Sequence, residues 1–175
     1  RGKIEVAEVF SYACGACASA NAAVGAWNKT KAPDVNFVYV HSVAQGGAWE
    51  RFARGFFAAD AKKIQARSHD ALFQAVFVDQ SLSNNASLED IAKFYSKYGV
   101  TSAQMLAIMN SPSINAKLNR SKQFSLRTGA NSTPTIIVAG KYKVNSTRAG
   151  GFPGMMKTVD FLVAKERVAI SARTA

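Results

Sequence analysis

Ile4-Glu5-Val6-Ala7-Glu8-Val9-Phe10-Ser11-Tyr12-Ala13-Cys14-Gly15-Ala16-Cys17 is the stretch that decides how this chain folds. Its first half is an apolar run broken only by Glu5 and Glu8, the pattern of a buried strand. The two cysteines of the 175-residue chain follow at once, three positions apart. Beyond them, Ala18, Ala20, Ala22, Ala23 and Ala26 favour a helix, with Val24 and Trp27 able to pack on one side. Pro33-Asp34 ends that helix. Val35-Asn36-Phe37-Val38-Tyr39-Val40 then reads as a second strand, rich in β-branched and aromatic residues. Strand, helix and strand within so short a stretch predict two parallel strands joined by a right-handed crossover.

A strand that ends in Cys-x-x-Cys at a helix start makes a reactive dithiol. The thiolate is the attacking species, and the unpaired N–H groups of a helix N-terminus stabilise it. The helix dipole supplies roughly 0.3–1 kcal/mol, about 2 when partly buried. One pKa unit corresponds to about 1.36 kcal/mol, so the dipole alone lowers the Cys14 pKa by about one unit. A larger shift requires N–H groups that donate to the sulfur itself. Cys14, ahead of the helix, is expected to be the exposed nucleophile. Cys17, one turn inside, is expected to be buried on the same face, where a disulfide can close.

The other use of such a pair is metal binding, which needs two further ligands. The remaining soft donors are His41 and His69, spaced Cys14-x2-Cys17-x23-His41-x27-His69. Zinc sites pair their histidines closely, and this spacing does not. No metal is therefore expected. His41 ends the second strand and can face the dithiol. His69 lies between two helical patterns and reads as a surface residue. Trp27 and Trp49 read as core, as do Met105, Met109, Met155 and Met156 at helical spacing.

From Gln45-Gly46-Gly47 to Gly129 the chain carries no strand pattern. Trp49, Phe52, Phe56 and Phe57 make one helical stripe, and Leu72, Phe73, Val76 and Phe77 another. Ser87-x-x-Asp90 and Thr101-x-x-Gln104 have the form of capping boxes. Gly99 offers a helix stop, and Ser111-Pro112 a cap followed by an N1 proline. After this helical block, Thr135-Ile136-Ile137-Val138-Ala139 reads as a strand. A tight turn at Gly140-Lys141 leads to a short strand at Tyr142-Lys143-Val144. Gly150-Gly151-Phe152-Pro153 punctuates the chain before a last helix with Met155, Val159, Leu162 and Val163 on one face. The fold class is α/β, with residues 1–45 and 128–175 forming one discontinuous domain and residues 46–127 an inserted all-helical one.

Two more positions bear on the site. Thr133-Pro134 either opens its strand as an ordinary trans proline or is cis, facing the cysteines and leaving the Thr133 backbone free to pair with an extended peptide. Glu8 either faces solvent at the strand margin or lies under the dithiol, where burial raises its pKa and lets it relay protons.

With 48% apolar residues and 11 Phe the chain can bury a sizeable core, and no run of 18 apolar residues suits a membrane span. Arg1-Gly2-Lys3 leads directly into the first strand without a signal-peptide pattern, although a leader removed earlier would leave no trace. Net charge is +11, from 22 basic and 11 acidic side chains. The basic residues are spread along helical segments without an aromatic ladder, so nucleic acid is not expected as a partner.

The order of these elements resembles the DsbA family of thiol:disulfide oxidoreductases. The resemblance rests on residues 8–17, on Thr133-Pro134-Thr135, and on Val159-Asp160-Phe161-Leu162-Val163-Ala164-Lys165-Glu166-Arg167. It implies a thioredoxin fold with a helical insertion. It makes Cys14 the nucleophile, Cys17 its partner, Pro134 a cis proline, Thr133 a substrate contact and Glu8 the buried acid. Gly15 and Ala16, between the cysteines, would border the bound substrate. The cofactor would be the redox-active disulfide alone. The implied partners are unfolded or folding exported proteins and a membrane reoxidant of the DsbB type, and the implied address is the periplasm. A monomer is expected, because no residues precede Arg1 to form the extra domain of the dimeric isomerases. Familiar members carry Pro-His where this chain has Gly15-Ala16. Loss of that imidazole predicts a higher Cys14 pKa and a milder oxidant. Two other functions share such a fold: a peptide-binding module with little turnover, and a glutathione-dependent transferase or isomerase. The second usually lacks a working second cysteine, so Cys17 argues against it.

Overall fold

The structure, a computed structural model, describes residues 3–175. Arg1 and Gly2, which the sequence reading ran into the first strand, lie outside the described residues. The elements run β1 (Ile4–Phe10), α1 (Gly15–Thr30), β2 (Val35–His41), α2 (Gly47–Ala61), α3 (Gln65–Phe77), α4 (Leu88–Tyr95), a 3-10 turn (Ser96–Tyr98), α5 (Ser102–Met109), α6 (Pro112–Thr128), β3 (Thr135–Val138), β4 (Tyr142–Val144) and α7 (Gly151–Thr174). The sheet order is β2-β1-β3-β4. β1 and β2 are parallel, from Ile4 opposite Val35 to Phe10 opposite His41. β3 runs antiparallel to β1, with Glu8 opposite Ile136, and β4 antiparallel to β3.

Alternation along β1 sends its side chains to two layers. Ile4 and Val6, with Ile136 and Val138, pack on Ala20 and Val24 of α1 and on Met155, Met156, Val159 and Val163 of α7. Ala7, Val9 and Ile137 face the other way, onto Phe124 of α6 and Ala130. Phe10 and Tyr12, at the carboxyl end of β1, leave the sheet layers. They join a third cluster with Cys14, Cys17 and the apolar stripes of α2 to α5, including Phe52, Phe56, Leu72, Phe73, Ile91, Met105 and Met109. The helical segment between β2 and β3 thus shares its core with the cysteines. Full burial of each such side chain contributes about 1.5–3 kcal/mol.

Several expectations are corrected. The β3–β4 turn centres on Ala139 and Gly140, one residue earlier than the sequence suggested. Both have positive φ, 53° and 71°. A two-residue hairpin needs that backbone to match the twist of its strands, so Ala139 leaves β3. Lys141 N–H closes the turn on Val138 O at 3.1 Å. Gly150-Gly151 is the start of α7 itself, with Pro153 in its first turn. Thr101 and Gln104 close a full capping box. Ser87 accepts from Asp90 N–H at 3.1 Å, but no bond returns from the shorter Asp90 side chain among the described residues. Trp27 and Trp49 are only half-buried, and Trp27 Nε1 donates to Asp160 at 2.7 Å. His69 is no surface residue: it lies inside α3 and is 5% exposed. It stands three residues before Leu72 and four before Phe73, on the stripe that packs inward.

Candidate active site

β1 gives way to α1 through a tight turn. Ser11 O accepts from Cys14 N–H at 3.2 Å, and Ser11 Oγ from Ala13 N–H at 3.0 Å. Cys14 then takes the extended backbone of an N-cap, with φ −99° and ψ 115°. Its sulfur stands where a cap oxygen usually does, and Cys17 N–H donates to it at 3.2 Å. The first turn of α1 holds no acidic residue that would oppose a thiolate. Cys17 is 1% exposed and Cys14 only 9%. Cys14 is therefore far less open than its place before the helix suggested.

The cover comes from the segment ahead of β3. The Thr133–Pro134 peptide bond is cis. Thr133 Oγ1 donates to Cys14 Sγ at 3.2 Å, and Thr133 O lies 3.7 Å from the same sulfur. Asn145, just past β4, ties this segment down: its amide donates to Thr135 Oγ1 at 2.7 Å and to Pro134 O at 3.3 Å. Pro134 is buried and Thr133 half-buried, whereas Gly15 and Ala16 face solvent. A Cβ at Gly15 would meet Phe77 Cε1 at an ordinary 3.7 Å, so packing does not demand glycine there.

These contacts separate the two thiols. A hydrogen bond from the Cys17 thiol does most to favour the Cys14 thiolate. Burial opposes it, and the Thr133 hydroxyl and the Cys17 and Ala16 N–H groups add to it. The Cys14 pKa falls to about 6, below what a helix dipole alone achieves. Burial, first, and then the hydrogen bond given to Cys14 push Cys17 far above the thiol range. Such a pair can hold charge on Cys14 and a proton on Cys17 at neutral pH.

Glu8 is 2% exposed, on the sheet face shared with Phe10. Burial, and secondarily the Cys14 charge, raise its pKa to about 8. Of the two readings of Glu8, the solvent-facing one does not hold. His41 is fully buried and touches the turn before Cys14, because its Nε2 accepts from Tyr12 N–H at 3.2 Å. Among the described residues no three His, Cys, Asp or Glu stand close enough to share a metal ion. Sequence reasoning missed His69, whose Nδ1 lies 2.8 Å from the Tyr12 hydroxyl, and Asn145. The stripe of α3 offered a signal for His69. Nothing local marked Asn145.

The DSBA-like thioredoxin domain profile matches residues 5–153. The chain belongs to that family. Its sequence is 30% identical over 168 residues to the thiol:disulfide interchange protein DsbA of Pseudomonas aeruginosa, covering 96% of this chain and 78% of that protein. It is also 30% identical over 171 residues to the DsbA of Pseudomonas syringae pv. tomato, covering 98% and 78%. The crystal structure of the oxidoreductase DsbA from Xylella fastidiosa superposes with a TM-score of 0.90 at 36% identity, over 95% of this chain and 88% of that one. The fold is thus the DsbA-like thioredoxin fold, and the chain is a protein disulfide oxidoreductase. DsbA-like enzymes act through a cysteine redox pair, and Cys14 and Cys17 are the two cysteines available here.

Proposed function

We propose that this DsbA-like protein introduces or exchanges disulfides in exported proteins through Cys14 and Cys17. A substrate thiolate attacks Cys14 Sγ of the Cys14–Cys17 disulfide, forming a mixed disulfide and releasing Cys17, which takes up a proton. A second substrate thiolate attacks the substrate sulfur of the mixed disulfide. The substrate leaves oxidised, and two electrons stay on the protein as the Cys14 thiolate and the Cys17 thiol. In the opposite direction Cys17 resolves the mixed disulfide. The observation that carries this reading is the Cys17 N–H donating to Cys14 Sγ at 3.2 Å, which makes Cys14 the stable leaving thiolate. Glu8, poised near neutral pH beneath the pair, exchanges the Cys17 proton.

Thr133, beside Cys14, holds the substrate chain. Its N–H donates to no group among the described residues and can pair with an extended peptide. A groove lined by apolar Val43, Leu118, Leu126 and Ala130 and by charged Glu50 and Lys122 reaches Asn131, two residues from Thr133. Gly15, Ala16 and Pro134 complete the border. The redox disulfide is the only cofactor in this scheme, and a membrane protein of the DsbB type reoxidises it. A periplasmic monomer fits this chemistry. No helix among the described residues is long and apolar enough to cross a membrane. Residues 46–127 act as an insertion roofing the domain built from 1–45 and 128–175. With no imidazole between the cysteines, the site is a milder oxidant than the Pro-His members.

Two measurements test the scheme. Cys17→Ala protein mixed with a cell-envelope extract should accumulate mixed disulfides at Cys14. The wild-type pair should equilibrate with glutathione, read by trapping free thiols. A Cys17→Ala protein that traps nothing yet still binds peptides would point to a binding module instead.

A further inference from the structure

Tyr12 sits two residues before Cys14, fully buried, and histidines from two different elements hold both of its polar ends. Its N–H donates to His41 Nε2 at 3.2 Å. Its hydroxyl meets His69 Nδ1 at 2.8 Å. His41 Nε2 must accept, so its Nδ1 carries the hydrogen and donates to Ser42 O at 2.9 Å. On His69, Gln65 Nε2 also approaches Nδ1, at 3.1 Å. Nδ1 is therefore the acceptor, and the hydrogen lies on Nε2. That buried Nε2 has no partner among the described residues. The His69 ring packs among the rings of Phe10, Tyr39 and Phe73, centroid to centroid 5.4, 4.4 and 5.2 Å.

A buried N–H without a partner is unfavourable. A core built for stability alone would carry a hydrocarbon side chain here, as at Leu72 and Phe73 of the same stripe. The shortest polar contact that His69 makes is to the Tyr12 hydroxyl, at 2.8 Å against 3.1 Å to the Gln65 amide. The Cys14 sulfur's hydrogen bonds are with Thr133 and Cys17, not with Tyr12 or His69, so their effect on it passes through the turn. That turn is short. Tyr12 is fixed at both ends, Ser11 O takes the Cys14 N–H at 3.2 Å, and Cys14 Sγ then meets Cys17 N–H.

We infer that His69 is a positioning residue for the redox site: by anchoring the Tyr12 hydroxyl, with His41 on the Tyr12 N–H, it holds the β1–α1 turn so that Cys14 Sγ stays at the mouth of α1. The inference rests on the dithiol reading above. It also ties α3, an element of the helical segment, to the thiolate. Burial keeps the Tyr12 phenol protonated and pulls the His69 pKa down to about 4, so the pair is a neutral hydrogen bond at physiological pH.

The test compares Tyr12→Phe, His69→Leu, their double variant and His69→Asn. The Asn amide oxygen can stand where Nδ1 stands. Three quantities are read: the Cys14 pKa by thiolate absorbance, the glutathione equilibrium by thiol trapping, and the thermal midpoint. Loss of one hydrogen bond should raise the Cys14 pKa and shift the glutathione equilibrium toward the disulfide form about three- to tenfold in Tyr12→Phe and in His69→Leu. The double variant should be no further shifted than either single one, and His69→Asn should return to within about twofold of wild type. Variants that melt earlier but keep both redox readouts unchanged would overturn the inference, as would additive shifts in the double variant. Wild-type protein that exchanges no disulfide with glutathione would bring down the dithiol reading as well, so the two failures are distinct.

Discussion

Thr133 Oγ1 donates to Cys14 Sγ at 3.2 Å across 119 residues of sequence. This bond sets the hydroxyl of the segment before β3 directly over the sulfur at the mouth of α1. Thr133→Val keeps the shape and removes the donor. The Cys14 pKa should rise above about 6 by roughly half a unit to one unit, the net worth of an ordinary hydrogen bond at a half-buried site. Thiolate absorbance against pH measures it. An unchanged titration would mean that the hydroxyl does not reach the thiolate.

The Cys17 thiol is the largest cause of the low Cys14 pKa. Cys17→Ala removes it and leaves the backbone N–H bond of residue 17 in place. The pKa should therefore rise by about one unit without reaching the free-thiol value. The rate of alkylation by iodoacetamide against pH reports it. A return to the free-thiol value would show that the backbone bond contributes nothing.

Cys14 and Glu8 act on stability with opposite signs. The Cys14 pKa is lowered from 9.0 to about 6. Its thiolate thus stabilises the folded reduced form fully above pH 9, and that contribution is lost as pH falls through about 6. Denaturant unfolding of reduced against oxidised protein should show their difference shrinking from pH 9 to pH 6. A difference that stays flat across this range would contradict the lowered pKa.

Glu8 has its pKa raised from 4.5 to about 8, so ionising it opposes folding. The penalty is absent below pH 4.5, grows as pH rises and is complete above about pH 8. Glu8→Gln should stabilise the protein by about 1–3 kcal/mol near pH 7 and change nothing at pH 4. It should also slow disulfide exchange, because the Cys17 proton loses its acceptor. Equal stability of the two proteins at pH 7 would mean that Glu8 is not desolvated.

Gly55 of α2 lies against α4, where a Cβ would stand 2.7 Å from Ile91 Cγ2 and 3.3 Å from Tyr95 Cε2. Gly55→Ala should destabilise the protein by about 1–3 kcal/mol through overpacking, although alanine favours helix. Thermal unfolding measures this. The Cys14 pKa should stay near that of wild type, since the clash lies away from the turn. A gain in stability would show that α2 and α4 separate freely.

Local chemistry determined much of this protein. The apolar run at Ile4–Phe10, the alanine-rich stretch after Cys17 and the β-branched run at Val35–Val40 each carry their own periodicity. So do the stripes of α2 and α3, and Thr101 and Ser111 announce their helix starts within four residues. The sulfur at a helix N-terminus was legible for the same reason: both cysteines and the N–H that binds Cys14 lie within one turn of chain.

What the tertiary structure decided are relations between distant residues. The cover that Thr133 places on Cys14, the tether from Asn145 and the anchoring of Tyr12 by His41 and His69 depend on how β3, β2 and α3 pack against β1. The burial of Glu8 has the same origin. Strand alternation separates the facing of Glu5 from that of Glu8, but only the layer above the sheet decides which of them loses its water. Hydrogen bonding and desolvation act over a few ångströms of space, and sequence patterns reveal such proximity only where the chain itself keeps the partners near.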